Sequence, residues 1–149
     1  MPRIAFNLTR FSCIIGMLKG IIMSEEVAKK FIEALRTLED TKDVGPLAAL
    51  YADDAAVGNV LSPDRFHGQD GAREFWAEYR GTFETVRSTF RNVIAGAGNA
   101  ALEWTTEGAS FEGQPFSYAG VTVLEIEGDR VTRSSAYFDP KALGRQIKD

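Results

Sequence analysis

The stretch that decides the fold of this chain is Leu50-Tyr51-Ala52-Asp53-Asp54-Ala55-Ala56-Val57, followed shortly by Phe66-His67-Gly68. A second informative stretch, Ala136-Tyr137-Phe138-Asp139-Pro140, lies at the end of the last predicted strand. Apolar residues recur at helical spacing on both sides of the first stretch, and after Phe83 they alternate. Helices followed by an antiparallel meander predict an α+β domain, with the helices packed on one face of the sheet.

Three helices are predicted before the sheet, and Ser24, Asp43 and Asp70 are expected to cap them. Between the second and third helices, Ala55–Val60 is predicted as a short strand and Leu61–Asp64 as a loop. The later elements are the strands Thr85–Ala95, Ala101–Phe111, Phe116–Glu127 and Arg130–Phe138, and a closing helix at Lys141–Lys148.

The first 22 residues are predicted to be an extension outside the fold. They contain three basic residues and no acid, and their longest apolar stretch, Cys13–Leu18, is broken by Gly16. This stretch is too short to span a bilayer. Since Met23 leads directly into a helix, we expect the domain to cover residues 23–149. A weak targeting or membrane-surface segment is the alternative for residues 1–22.

The composition excludes several classes of protein. A net charge of −4 argues against nucleic acid or an anionic membrane as the main partner. Cys13 is the only cysteine and His67 the only histidine, so neither a thiolate cage nor a site with two imidazoles can form. We therefore expect no cofactor and no metal, and a cytoplasmic location.

The order of the elements and the two quoted stretches resemble the SnoaL-like branch of the NTF2-like superfamily, over Met23–Asp149. The resemblance implies an α+β conical barrel in which a curved antiparallel sheet carries three N-terminal helices on one face. It also implies an apolar pocket for a small hydrophobic molecule at the wide end, and frequent dimerisation through the outer sheet face. Because Val121 and Val123 alternate away from the pocket, a homodimer is predicted.

The catalytic residues of steroid isomerases with this fold are not retained at the matching positions. Phe31 stands where the resemblance places an oxyanion-donating tyrosine, and Asn59 stands where it places the aspartate base. Thr122 corresponds to the protonated acid that forms the second oxyanion donor. A hydroxyl can still donate a hydrogen bond, but no base near working pH remains to move a proton.

Limonene-type epoxide hydrolases are the more similar enzymes at the final strand, and their charged residues are also replaced. Trp104 corresponds to their arginine, and Thr106 and Ala136 correspond to their two aspartates. Only Asn59 keeps the position of a water-orienting amide. Polyketide cyclases of the SnoaL type use an acid in the pocket wall, and Ala136 leaves that position without one.

Neutral and aromatic side chains are therefore expected to form the pocket, although each could instead belong to the packed core. The predicted ligand-binding residues are Phe31, Tyr51, Asn59, Trp76, Tyr79, Trp104, Thr106, Tyr118, Thr122, Ala136 and Phe138. Asp53 and Asp54 are expected to bind backbone amides at a helix end. His67 is interpreted either as the anchor of a loop or as an acid or base at the pocket edge.

Two functions follow as hypotheses. The first is an enzyme, such as an isomerase, cyclase or hydrolase of a hydrophobic substrate, in which His67 or Tyr137 replaces the missing carboxylates. The second is a non-catalytic ligand-binding or dimerisation module. An ionisable side chain that points into the pocket would favour the first hypothesis.

Overall fold

The helices and strands of the protein follow one another as the sequence order predicts, with one additional short strand. The computed structural model describes residues 8–147. Its elements are α1 (Leu8–Thr41), α2 (Gly45–Ala48), β1 (Tyr51–Asn59), β2 (Ser62–His67), α3 (Gly68–Gly81), β3 (Thr85–Gly96), β4 (Asn99–Ala109), β5 (Pro115–Glu127), β6 (Arg130–Phe138) and α4 (Pro140–Ile147).

The strands form one curved sheet in the order β2-β1-β6-β5-β4-β3, with the helices on one side, and the predicted α+β fold is confirmed. Every pair is antiparallel except β1 and β6, which are parallel. The expectation of a wholly antiparallel sheet is therefore wrong at this pair. A parallel pair needs a long connection, and the chain from α3 to β5 supplies it. The pairing places Asn59 opposite Ala136.

The core lies between the helices and the concave face of the sheet. Val27, Phe31, Leu35 and Leu38 repeat at helical spacing on α1, and all four side chains are buried. Burying a side chain of this size contributes about 1.5–3 kcal/mol. The helical face predicted from the sequence is therefore the face that packs on the sheet.

The first helix begins earlier than predicted. α1 is continuous from Leu8, so Ser24 lies inside a helix and the prediction that it caps the helix is wrong. Ser24 is fully buried, and its hydroxyl accepts a hydrogen bond of 3.1 Å from the Gly98 N–H. No proline lies between Leu8 and Ser24 to stop the helix, and isolated glycines such as Gly16 are tolerated. The part of the extension before Leu8 lies outside the described residues.

Most apolar side chains of residues 8–22 are exposed, with Phe11 and Leu18 each 53% exposed. The backbone of Gly20 approaches Ala97 at the β3–β4 turn. Within residues 8–147, no helix has both the length and the apolar character that crossing a membrane requires.

The segment from residue 50 to residue 70 contains more strand than predicted. β1 begins at Tyr51, so Asp53 and Asp54 lie on an exposed part of a strand rather than at a helix end. The predicted loop at Leu61–Asp64 contains the start of β2. The predictions that Asp43 and Asp70 cap the second and third helices are wrong. Val44 precedes the first residue of α2, and Asp43 accepts a hydrogen bond from the Gly45 N–H at 2.9 Å from one residue further out. α3 begins directly after His67, so Asp70 lies inside its first turn. Of the closing helix, Lys148 lies outside the described residues.

Candidate functional site

A cavity of about 70 Å³ lies between α3 and the concave face of the sheet. Its wall contains most of the residues that the sequence predicted for the pocket, because alternate residues of each strand face the same side. The lining residues are Leu35, Asn59, Phe75, Trp76, Tyr79, Ser88, Trp104, Thr106, Tyr118, Thr122, Ala136 and Phe138. Among them, none is an Asp, Glu, His, Lys, Arg or Cys.

A wider pocket of about 380 Å³ lies next to this cavity and opens toward solvent. Five residues belong to the walls of both spaces, namely Asn59, Phe75, Tyr79, Tyr118 and Phe138. Leu143 and Ile147 of α4 line the outer pocket and pack against the neighbouring apolar cluster. The closing helix therefore lies at the mouth of the site.

Two of the predicted ligand-binding residues lie in the core instead of the cavity wall. Phe31 packs edge-to-face on Trp76, with ring centroids 5.7 Å apart. The Tyr51 hydroxyl accepts a hydrogen bond of 2.9 Å from the Trp76 indole and lies 2.8 Å from the Ser134 hydroxyl. Both residues are buried behind Trp76 and hold its ring in the wall.

The weak catalytic candidates His67 and Tyr137 both lie outside the cavity. His67 is an exposed residue that ends β2 immediately before α3. Tyr137 is 47% exposed, since it alternates with the inward-facing Ala136 and Phe138 on β6. The guanidinium of Arg133 lowers the pKa of Tyr137. Neither side chain is placed to act on a molecule in the cavity.

Asn59 lies at the cavity wall, but the backbone occupies its carbonyl oxygen. Its Oδ1 accepts hydrogen bonds from Leu61 N at 2.9 Å and from Ser62 N at 3.1 Å. These two donors fix the orientation of the amide and form the β1–β2 turn. The Nδ2 group is the part of Asn59 that remains available to a ligand.

Trp104 spans the opposite wall, and a close approach to β5 holds it there. Its indole Nε1 donates a hydrogen bond of 2.9 Å to Thr122 Oγ1. The ring packs edge-to-face on Tyr118, with centroids 5.3 Å apart. A Cβ at Gly120 would lie 2.7 Å from the Trp104 ring, so only glycine leaves space for the indole in this position.

A buried carboxylate, Glu39, lies directly behind the wall, and the sequence analysis did not predict it. Glu39 is only 4% exposed. It accepts hydrogen bonds from Tyr79 OH at 2.9 Å, from Ser88 N at 2.8 Å and from Ser88 Oγ at 2.6 Å. The Ser88 hydroxyl also lies 2.8 Å from Thr106 Oγ1. The spacing of Glu39 from Leu35 and Leu38 was the pattern that could have revealed it, because all three share one helical face.

Arg80 is buried on the far side of Glu39 and does not line the cavity. Its guanidinium donates to three main-chain carbonyls, those of Glu39 at 3.1 Å, Phe83 at 2.9 Å and Glu84 at 3.4 Å. The arginine therefore stabilises the end of α1 and the loop after α3.

The phenols of the wall are neutral groups at ordinary pH. Burial, and to a smaller extent the charge of Glu39, raise the pKa values of Tyr79 and Tyr118. They can form hydrogen bonds to a ligand, but they are poor bases. Among residues 8–147, no group of three or more His, Cys, Asp or Glu side chains is placed to hold a metal ion.

The curved sheet, the helices on one side and the cavity between them define the NTF2-like class of folds. Residues 28–134 match the model of the SnoaL-like domain, and the chain belongs to this family. Among curated proteins, none matches the chain significantly.

Solved structures with low sequence identity share this fold. An NTF2-like protein from Anabaena variabilis matches with a TM-score of 0.72 and 18% identity, over 81% of this chain and 92% of its own. TerC, co-crystallised with polyporic acid, matches with a TM-score of 0.71 and 17% identity, over 85% and 99%. A protein of ketosteroid isomerase-like fold from Catenulispora acidiphila, in complex with trimethylamine, matches with a TM-score of 0.69 and 18% identity, over 78% and 91%.

Proposed function

We propose that this SnoaL-like domain binds a small hydrophobic molecule in the cavity between α3 and the sheet. The observation that supports the proposal is the wall itself, in which the aromatic rings of Trp76, Trp104, Tyr118 and Phe138 surround a few fixed polar groups. Sites for small molecules have this composition, mostly apolar with a small number of placed hydrogen-bonding groups. The TerC and Catenulispora structures, with polyporic acid and trimethylamine, are similar folds that hold small molecules.

Binding without catalysis is the function that the wall favours. Proton transfer from carbon, or activation of water, requires a base within hydrogen-bond reach of the reacting atom. The side chains in the wall are apolar or neutral, and Asn59 has its oxygen committed to a turn. Therefore we do not expect the activities of steroid isomerases or limonene-type epoxide hydrolases.

An enzyme, acting as an isomerase, cyclase or hydrolase on a hydrophobic substrate, is the second candidate. The observation that favours it is the position of Glu39, which contacts Ser88, a residue of the wall. A proton taken up at Ser88 or Thr106 could reach this carboxylate through hydroxyl groups. His67 and Tyr137, the alternatives considered from the sequence, do not line the cavity.

The two tryptophans provide a direct test of binding, because both indole rings line the cavity and both Nε1–H groups are hydrogen-bonded. A panel of terpenoids and aromatic polyketides should shift the two indole N–H signals in an NMR titration, and some members should saturate. Trp104→Ala should weaken that binding, while Phe111→Ala, a change at an exposed aromatic residue, should not. If no compound of the panel shows saturable binding, the proposal is wrong.

The catalytic alternative has its own measurement. Limonene oxide and a β,γ-unsaturated ketosteroid should show no turnover above background with the purified protein. Turnover of either compound, abolished by Glu39→Gln, would show that the buried carboxylate acts as the missing base and that the second candidate is correct.

A further inference from the structure

We infer that the end of the cavity next to Glu39 accepts hydrogen bonds from a ligand and donates none through the hydroxyls of Tyr79, Ser88 and Thr106. The ligand therefore presents a hydroxyl or ammonium group at this end. This inference rests on the proposed binding function and adds the polarity of the ligand to it. A carbonyl or carboxylate of the same size is disfavoured at this end. Glu39 is the residue that sets this specificity, although it does not touch the cavity.

Three donor groups of Tyr79 and Ser88 surround the Glu39 carboxylate. Its Oε2 receives the Ser88 N–H at 2.8 Å, a backbone donor whose direction is fixed. Its Oε1 receives Tyr79 OH at 2.9 Å and Ser88 Oγ at 2.6 Å. A separation of 2.6 Å is typical of a hydroxyl that donates to an ionised carboxylate. If Ser88 directed its proton elsewhere, two oxygen lone pairs would face each other at that distance.

The direction of the hydrogen bond between Ser88 and Thr106 follows from this assignment. Ser88 has one proton, and Glu39 receives it. The contact of 2.8 Å between Ser88 Oγ and Thr106 Oγ1 is buried and must therefore be donated by Thr106. Tyr79 has also given its proton to Glu39. All three hydroxyl oxygens belong to residues of the cavity wall, and they have only lone pairs left for a ligand.

The other polar groups near this end of the cavity do not add a donor that would favour a carbonyl ligand. The Nε, Nη1 and Nη2 groups of Arg80 bind main-chain carbonyls, and Arg80 does not line the cavity. The Tyr118 hydroxyl lies at the wall and can rotate to donate or to accept, so it does not distinguish one ligand from another. Thr122 accepts from Trp104, and it lies on β5 four residues from Tyr118, the residue that pairs with Thr106.

Replacing Glu39 by glutamine should reverse the direction of the network. The Ser88 N–H requires an oxygen at the Oε2 position, so the new amide nitrogen must take the position of Oε1. It would then donate to Ser88 Oγ and Tyr79 OH. Ser88 would in turn donate to Thr106, and the Thr106 proton would turn toward the cavity. A wall that accepts from the ligand would become one that donates to it.

The experiment uses matched alcohols and ketones of two sizes, cyclohexanol with cyclohexanone and menthol with menthone, titrated against the full chain while the indole N–H signals are followed by NMR. We expect the wild-type protein to bind the alcohol of a pair about tenfold more tightly than the ketone. Glu39→Gln should remove or reverse that preference. Cyclohexylammonium, compared with cyclohexanol, shows whether the preferred donor is charged or neutral.

Two further variants separate the network from general effects. Asp40→Asn changes the adjacent carboxylate, which is exposed and paired with Arg87, and should leave the preference unchanged. Thr106→Val removes one of the three acceptor oxygens and should reduce the preference for the alcohol, which tests the inference even if Glu39→Gln does not fold. Equal binding of both members of a pair by the wild-type protein would overturn the inference and leave the proposed function intact. The absence of saturable binding by either pair and by the terpenoid and polyketide panel would instead contradict the proposed function.

Discussion

The indole nitrogen of Trp76 donates a hydrogen bond of 2.9 Å to the hydroxyl oxygen of Tyr51. Trp76 lines the cavity, whereas Tyr51 is fully buried in the core. The Tyr51 hydroxyl also contacts Ser134 on β6 at 2.8 Å, so it joins α3, β1 and β6 at one atom. The position of the cavity wall therefore depends on a polar contact inside the core.

Replacing Tyr51 by phenylalanine should destabilise the fold by about 2 kcal/mol, because the Trp76 N–H would lose its buried acceptor. Urea denaturation measures this loss, and the Trp76 indole signal should shift in the NMR spectrum. Tyr137→Phe is the matched control, since that tyrosine lies at the surface and its loss should leave the stability unchanged. Equal stability of the wild type and the Tyr51 variant would show that the contact contributes nothing.

Stability should decrease at alkaline pH. Burial raises the pKa of Tyr51 from 10.0 to about 12, and the pKa values of Tyr79 and Tyr118 are also raised. A pKa that is higher in the folded state gives stability that is complete below the unfolded value and is lost as pH rises through the folded value. Tyr137, whose pKa is lowered, should ionise first and without unfolding.

Absorbance of the phenolate groups against pH, with circular dichroism recorded on the same samples, measures both events. One tyrosine should titrate while the circular dichroism is constant, and the other three should titrate together with the loss of structure. Four independent titrations near the ordinary tyrosine value would contradict the burial of the aromatic wall.

Much of the cavity wall could be predicted because strands impose a period of two. Once Trp104 is placed inward, Thr106 must be inward as well, and the same rule applies to Ala136 and Phe138. Phe31 lies on a helix, where the spacing identifies the buried face but not whether a residue reaches a cavity or packs beside it. The sequence therefore predicted the buried face of α1 correctly. That Phe31 packs in the core and does not line the cavity is known only from the structure.

Glu39 and Ser24 could not be placed from local patterns for two different reasons. A glutamate on a helix is most often solvated, and Glu39 is buried only because Ser88 and Tyr79, distant in sequence, supply its hydrogen bonds. Ser24 has the side chain of a capping residue, but a cap forms only where the helix ends. Its partner is Gly98, which lies on the β3–β4 turn.

Gly120→Ala should destabilise the protein by about 2 kcal/mol or more, because the new methyl group would overlap its neighbours. The Cβ would lie 2.5 Å from the Tyr137 carbonyl oxygen and 2.7 Å from the Trp104 ring. Displacement of that ring should also shift the Trp104 indole signal. Gly144→Ala, on α4 with no atom within 4 Å of the added Cβ, is the control and should not lower the melting temperature. Unchanged stability of Gly120→Ala would mean that Trp104 does not occupy this position.

A chain that starts at Met23 should be as stable as the full chain. The side chains of residues 8–22 are mostly exposed, and Gly20 approaches Ala97 of the domain. Differential scanning calorimetry of the two chains provides the comparison. Ser24→Ala should lower the melting temperature in both, since it removes the hydrogen bond to Gly98 at the junction. A melting temperature several degrees lower for the shortened chain would show that the extension packs on the domain.

The outer face of the sheet is where we propose that two copies of the chain associate. Val121 lies between Glu103 and Tyr137 on the neighbouring strands, and Val123 lies next to Ala101. Small and apolar side chains in the middle of an open sheet face are costly to leave in water. Light scattering at micromolar concentration should therefore give the mass of a dimer.

Val121→Asp should convert that dimer to a monomer, because it would bury a charge in the interface. Leu61→Asp makes the same change at an exposed residue of the β1–β2 turn and should leave the mass unchanged. A monomer mass for the wild-type protein would refute the association, and a dimer that survives Val121→Asp would place the interface on another surface. If the dimer forms as proposed, the convex face of the sheet is covered, and a small molecule reaches the cavity through the outer pocket beside α4.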